Sequence, residues 1–320
     1  MIRLFVEPGV EKSWKQFRKQ NPRYSIALDG YVKKSPCFDS SGPWLNLDHH
    51  SGVDRLATRS SSGQVLICLS QWMIKSFKKK GRITINVYAN DCDEDVCLAY
   101  WLLQNHKRID GTKSDHRIEH LVHLVDALDA TGGTYPIDPK SLIRKRLNWV
   151  FEPYSIARKA GKISKMTGKE MLALIKAVGK RITRYVAGRS GKIPSDTRYK
   201  TLYVGKGWAM IREIGREGRL IACEKYGGAC VTARQDPENK DVSHYVFLRM
   251  SPFVCFPIPD IYKEYNKRES IKLGLKKPGK HCGGSNTIGG SARRKGSRQT
   301  PEEVTKLVEF VINNKNKSPV

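Results

Sequence analysis

The chain has 320 residues, 39% hydrophobic and 28% charged, the proportions of a globular protein rather than a disordered or collagenous one. No apolar run approaches the ~18 residues of a membrane span, and residues 1–8 lack the apolar core of a secretory leader. Eight cysteines without a C-x-x-C pair exclude a disulfide-framework mini-protein and a zinc ribbon, and are expected as reduced thiols of a cytosolic chain. The net charge of +27 is unevenly placed, with a balance of +4 over residues 1–137 and +23 over residues 138–320. That asymmetry points to chemistry in the first part and capture of an anion, a nucleotide or nucleic acid, in the second. The plainer reading is a basic solubility surface.

Short apolar strands are expected at residues 24–28, 43–47 and 83–89, the last rich in β-branched residues. Helices are expected at 55–80, 95–104 and 116–127, the last stopping at Thr131-Gly132-Gly133. This strand–helix alternation predicts an α/β domain with a mostly parallel sheet flanked by helices. Pro136 and Pro139 mark a break, and residues 138–194 read as a basic helical connector. Strands are then expected near 202–204, 219–223, 229–233 and 245–249. A final helix is expected from Pro301, with Thr300 as its N-cap. The domains are therefore drawn as 1–137, the connector 138–194, and a smaller basic α+β domain, 195–320.

Four segments of the first domain place acids or imidazoles at the end of a strand or helix, where open α/β sheets bind their ligands. They are Asp29, Asp48-His49-His50, the run Asp91 to Asp95, and Asp126 with Asp129. Extended chain would point Asp91, Asp93 and Asp95 the same way. Clustered carboxylates repel unless cations neutralise them, and Mg²⁺ or Mn²⁺ would serve, with imidazole favouring Mn²⁺. A solvated acidic turn capping the next helix is the competing reading.

Taken together these strings resemble the DHH phosphoesterase superfamily, which includes RecJ-type exonucleases, oligonucleotide and cyclic-dinucleotide phosphodiesterases and a class of pyrophosphatase. Asp91-Cys-Asp93-Glu-Asp95 is similar to the family's D-x-D-x-D motif and Asp29 to its strand-terminal Asp. Asp48-His49-His50 matches the D-H-H itself, and Asp129-Ala-Thr-Gly132 resembles the fourth motif, for which Asp126 is a second candidate. The order departs from the family, since D-x-D follows D-H-H here, as a circular permutation would produce. The resemblance implies two divalent ions, Mn²⁺ or Mg²⁺, activating a water for hydrolysis of a phosphoester or phosphoanhydride. It implies Asp29, Asp91, Asp93 and His49 as ligands, Asp48 bridging or orienting, Asp129 (or Asp126) completing one shell, and His50 facing the phosphate. Asp95 and Glu94 are weaker candidates, expected as helix caps or supporting groups.

The second domain carries Gly283-Gly284-Ser285 and Gly289-Gly290, followed by Arg293, Arg294 and Arg298. This is similar to the glycine-rich substrate loop of the family's associated domain, and these residues are expected to bind substrate phosphate. The expected partner is a nucleotide, oligonucleotide or other phosphorylated anion, with no membrane role; the resemblance leaves room for a homodimer. Two other readings compete. His116-Arg-Ile-Glu119-His120 matches an inverted zinc-protease string, although a surface helix explains it more simply. The basic part could instead be a non-catalytic nucleic-acid-binding module on a degenerate hydrolase-like domain, with aromatics such as Trp149 and Tyr154 stacking bases.

Overall fold

The computed structural model describes residues 1–292 and 295–315. It is mixed α/β, with eleven α-helices and three sheets among those residues. Two units emerge. The first joins Met1–Ala130 to Leu142–Ile193; the second joins Thr131–Ser141 to the residues from Pro194 onward.

In the first unit the chain runs β1 (Ile2–Val6), α1 (Trp14–Gln20), β2 (Ser25–Leu28), β3 (Cys37–Asp39), β4 (Trp44–Leu47), α2 (Ser61–Ser70), α3 (Met73–Ser76), β5 (Lys78–Lys79), β6 (Arg82–Ile83), β7 (Ile85–Ala89), α4 (Glu94–Gln104), α5 (His116–Ala130), α6 (Leu142–Val150), α7 (Glu152–Lys159) and α8 (Gly168–Val186). The main sheet has the order β1-β7-β2-β4-β3, parallel except for the antiparallel edge β3. All four residues of β2 are buried, as a central strand of a covered parallel sheet requires. Phe17 of α1 packs with Ala27, Tyr31, Val32 and Tyr88 into an aromatic cluster on the sheet. Helix α4 is buried from Asp95 to Leu103, the pattern of a helix enclosed by neighbours. Its contacts are with α2, α5, α8 and strand β1.

Two expectations change here. Residues 55–80 do not form one helix: Trp72 enters the left-handed region (φ 66°) between α2 and α3, and Lys78–Lys79 pairs with Arg82–Ile83. Residues 142–193 are not a connector but part of the first unit. Helix α8 explains why. A capping box of Thr167 and Glu170 starts it, and Met171, Leu174, Ile175, Val178 and Ile182 form one buried stripe at helical spacing. The indole N–H of Trp101 in α4 also donates to Oγ1 of Thr183, at 2.9 Å.

The second unit contains β8 (Tyr199–Gly205), β9 (Trp208–Glu213), α9 (Gly218–Lys225), β10 (Ala229–Gln235), β11 (Ser243–Arg249), α10 (Ile258–Lys272), β12 (Cys282–Gly284), β13 (Ile288–Ser291) and α11 (Pro301–Lys315). Its sheet runs β12-β13-β11-β10-β9-β8, antiparallel except for β9–β10. Alternation sends Trp208 and Met210 to a core shared with α10 and α11. Ala209 and Ile211 face Ala222 of α9 instead. The strand expected at 219–223 is α9. A five-residue apolar run cannot distinguish the two, and parallel neighbours β9 and β10 need a crossover, which α9 supplies. Thr300 caps α11 as expected, its Oγ1 accepting from the Glu303 amide while that side chain accepts from the Thr300 amide.

The glycines of residues 283–290 pair as a hairpin rather than an open loop, Gly283 opposite Gly290 and Gly284 opposite Gly289. A Cβ on Gly289 would lie 2.1 Å from the Tyr262 hydroxyl and 2.4 Å from the Gly283 carbonyl oxygen, whereas one on Gly283 would meet only the end of Lys280, at 3.4 Å. Gly289→Ala is therefore expected to destabilise the protein by about 1–3 kcal/mol through overpacking. Gly283→Ala should stay within about 0.5 kcal/mol. Urea unfolding of both variants checks the contrast; equal effects would contradict the packing account.

Candidate metal centre

The centre is assembled at the carboxyl ends of two adjacent parallel strands. Strand β2 ends at Asp29 and β4 at Asp48, His49 and His50. Asp29 (φ 46°) and Gly30 (φ 75°) both take the left-handed conformation, which Asp tolerates better than most residues and glycine adopts freely. This sharp turn brings the Gly30 amide to Oδ1 of Asp48, at 3.0 Å. The same oxygen accepts from the His50 amide at 2.9 Å, and Oδ2 accepts from the Ser51 amide at 3.1 Å. Asp48, completely buried, thus holds the backbone of the turn that presents the two histidines.

His49 is also completely buried. Its Nε2 lies 3.1 Å from Oδ1 of Asp29 and 2.8 Å from Oδ2 of Asp129, on the last turn of α5. Two carboxylates on one ring nitrogen require that nitrogen to carry a proton. Burial pulls the imidazole pKa down, but the hydrogen bonds and charges of Asp129 and Asp29 overrule it and push it up to about 11. Burial likewise raises Asp29, but the His50 charge and the His49 hydrogen bond hold it below the usual carboxylate range. Asp129 is lowered too: burial opposes, while His49 and the Arg55 charge prevail. The Arg55 guanidinium donates to both Oδ2 and the backbone carbonyl of Asp129, each at 3.0 Å. His50 is 40% exposed in its side chain, with Nδ1 at 3.1 Å from Asp48 Oδ1 and 3.3 Å from Asp29 Oδ1.

The acidic run after β7 divides its roles. Asp93 caps α4 by accepting from the Val96 amide at 2.9 Å. Burial, with the charges of Asp29 and Asp91, pushes its carboxyl well above the ordinary range. Asp95 is buried and accepts from the Ser61 and Ser62 amides at the start of α2, at 2.7 and 2.9 Å. Burial and the charges of Asp129 and Asp29 raise it to about 6.

Among the described residues, two groups of side chains present ligand atoms close enough to hold a metal ion: Asp29, His49 and His50; and His49, Asp95 and Asp129, each within 4.8 Å. The donor set fits. Oxygen and imidazole donors suit first-row divalent ions, and buried carboxylates whose repulsion is relieved only by protons occupy the place of a cation. Among the described residues, buried Nδ1 of His49 has no hydrogen-bond partner, whereas Nε2 faces both carboxylates.

The residues expected from the sequence divide accordingly. Asp29, His49, His50 and Asp129 come together. Asp48 lies outside both groups and orients the turn instead. Asp91, which accepts from the Cys92 amide at 2.7 Å, is also outside them and contributes its charge to Asp93. Asp126 is outside as well: it accepts from the Ser60 amide ahead of α2 and faces Arg59. Asp95 has more weight than the sequence suggested, and Arg55 had no sequence signal beyond its proximity to the D-H-H string. His116, Glu119 and His120 are exposed on α5 and belong to neither group. Gly283, Gly284, Gly289 and Gly290 form the hairpin described above, Arg298 is exposed, and Arg293 and Arg294 lie outside the described residues. All eight cysteines are free thiols. No helix among the described residues is long and apolar enough to cross a membrane.

Comparison with known protein families, curated proteins and solved structures finds no match to this chain.

Occupancy by a cation must expel the proton held by His49. Calorimetric titration of EDTA-treated protein with Mn²⁺ at pH 7.5, in buffers of different ionisation enthalpy, is expected to show release of about one proton or more. Release should fall in His49→Gln. Without cation, the His49 contribution to stability is fully present below about pH 6.5, where the unfolded imidazole is charged. It declines as pH rises toward the folded value of about 11. A His49→Gln stability deficit that grew with pH over that range would contradict the assignment.

Proposed function

We propose that the first unit is a divalent-metal-dependent phosphohydrolase, cleaving a phosphoester or phosphoanhydride of a nucleotide or oligonucleotide with two ions, Mn²⁺ or Mg²⁺. The observation that carries this reading is the convergence of Asp29, His49 and Asp129 at the carboxyl ends of parallel strands. The resemblance of these strings to DHH phosphoesterases names the reaction class.

In this reading Asp29 and His49, with His50 or Asp129, hold the cations, and Asp95 supports the second position. An imidazole nitrogen has one lone pair, so His49 serves a single ion and any shared oxygen comes from a carboxylate. Bound divalent ions supply Lewis acidity and charge neutralisation for phosphoryl transfer to water. Arg55 fixes Asp129 by its side chain and its carbonyl. Asp48 fixes the turn. His50 is the imidazole a substrate can reach; burial lowers its pKa, but the charge of Asp29 and the hydrogen bond to Asp48 raise it overall.

The second reading, a nucleic-acid-binding protein without turnover, is favoured by one observation, the +23 balance beyond residue 137. A panel of bis-p-nitrophenyl phosphate, short RNA and DNA, a cyclic dinucleotide and pyrophosphate separates the two. With Mn²⁺ or Mg²⁺, at least one substrate is expected to turn over. Asp29→Asn and Asp129→Asn should lower the rate by more than about a hundredfold, since even groups that only orient metal ligands commonly cost 10–100-fold. Equal rates in EDTA or in the variants would refute the hydrolase. No turnover, with salt-sensitive oligonucleotide binding, would leave the second reading.

A further inference from the structure

The second unit contains a cleft of about 750 Å³ at the carboxyl ends of the parallel strands β9 and β10. This is the end of such a β-α-β arrangement at which ligands are commonly bound, and the volume is within the range of small-molecule sites. Arg212 is the penultimate residue of β9 and shares the face of Ala233, toward α10 and α11, whereas Arg234, the next residue of β10, alternates to the opposite face and meets the cleft only at its backbone end. Lys240 comes from the β10–β11 turn and Arg298 from the segment before α11. Arg212, Lys240 and Arg298 are exposed, and among the described residues none of their side chains is ion-paired. Lys272 also lines the cleft but is held by Glu303, and Asp241 is the one carboxylate in the lining.

Elsewhere in this unit the chain pairs its arginines where it buries or anchors them: Arg219 with Glu213, Arg268 with Glu264, Arg198 with Asp196. Three unpaired cations gathered on a concave surface with one acid repel one another and focus positive potential into the cleft, an arrangement an anion relieves. Arg212 sits near a strand end, a position that fixes the base of a side chain whose fork suits phosphate oxygens. The lining has no aromatic ring, so stacking on bases is not available there, and Leu202, Leu273 and Pro301 provide only an apolar flank.

We propose that this cleft binds the phosphates of a nucleotide or a nucleic-acid strand through Arg212, Lys240 and Arg298. It is separate from the Gly283–Gly290 hairpin. The inference stands on the geometry of the second unit alone, so it does not depend on the phosphohydrolase reading.

The test is fluorescence anisotropy of a labelled single-stranded 12-mer with the full chain in EDTA, where no metal-dependent hydrolysis interferes. The double variant Lys240→Ala/Arg298→Ala is expected to bind about tenfold or more weakly, with the slope of log K against log salt reduced by about 1.4 for two lost single-strand phosphate contacts. Lys276→Ala/Lys277→Ala changes the net charge equally at exposed positions outside the cleft, and should bind within about twofold of the parent. Unchanged binding by the cleft variant, or equal loss in the control pair, would overturn the proposal. Melting temperatures matching the parent would show that both variants are folded. Displacement of the strand by millimolar ATP would assign the cleft to a nucleotide's phosphates, and resistance to ATP would assign it to a strand backbone. No binding of either probe would overturn the site, whatever the outcome of the hydrolysis panel.

Discussion

A buried imidazole between two carboxylates is the interaction on which the first unit's centre is organised. Nε2 of His49 faces Asp29 and Asp129, which reach it from the end of β2 and the last turn of α5. Strand order makes this arrangement available: β2 and β4 are parallel neighbours, so Asp29 and the D-H-H string finish at the same edge of the sheet. The turn residues then have little freedom. Asp48 uses both oxygens on backbone amides, and Asp95 uses both on the start of α2. Asp29 and Asp129 face the His49 imidazole and stand where a cation would, with Asp95 beside them, while Asp48 holds the turn.

This division explains how much of the centre was legible beforehand. Asp29 and Asp48-His49-His50 sit at strand ends marked by apolar runs, so their convergence follows from a parallel sheet. The acidic run was harder. Extended chain through Asp95 would place three acids on one face, but α4 begins at Glu94, which turns Asp93 into a cap and Asp95 inward toward α2. Asp126 and Asp129 are three residues apart on one helix, close enough in facing that periodicity cannot choose between them. Only tertiary position does, because the amide of Ser60 takes Asp126.

Similar limits applied to the fold. The alternation of strands and helices was sufficient for the α/β class, and the strands at β2, β4, β7, β10 and β11 lie where apolar runs placed them. The run 219–223 was too short to reveal its period, and topology decided it. Helix α10 had no expectation, since its many charged residues mask the buried Ile258, Ile261, Tyr262, Tyr265 and Glu269. Glycine spacing suggested an open loop because nothing in the string reports that Tyr262 packs over Gly289. The basic cleft was hard to read for a related reason: Arg212, Lys240 and Arg298 are scattered along 87 positions and meet only when the second unit's sheet and helices assemble.

The central claim is that a cation belongs where His49, Asp29 and Asp129 now share a proton. The most direct measurement is an anomalous difference map at the manganese absorption edge from crystals grown with Mn²⁺. The account predicts a peak about 2.0–2.3 Å from a carboxylate oxygen of Asp29 or Asp129 and from Nε2 of His49. A map with no peak there, and the imidazole still between the two carboxylates at saturating Mn²⁺, would contradict it.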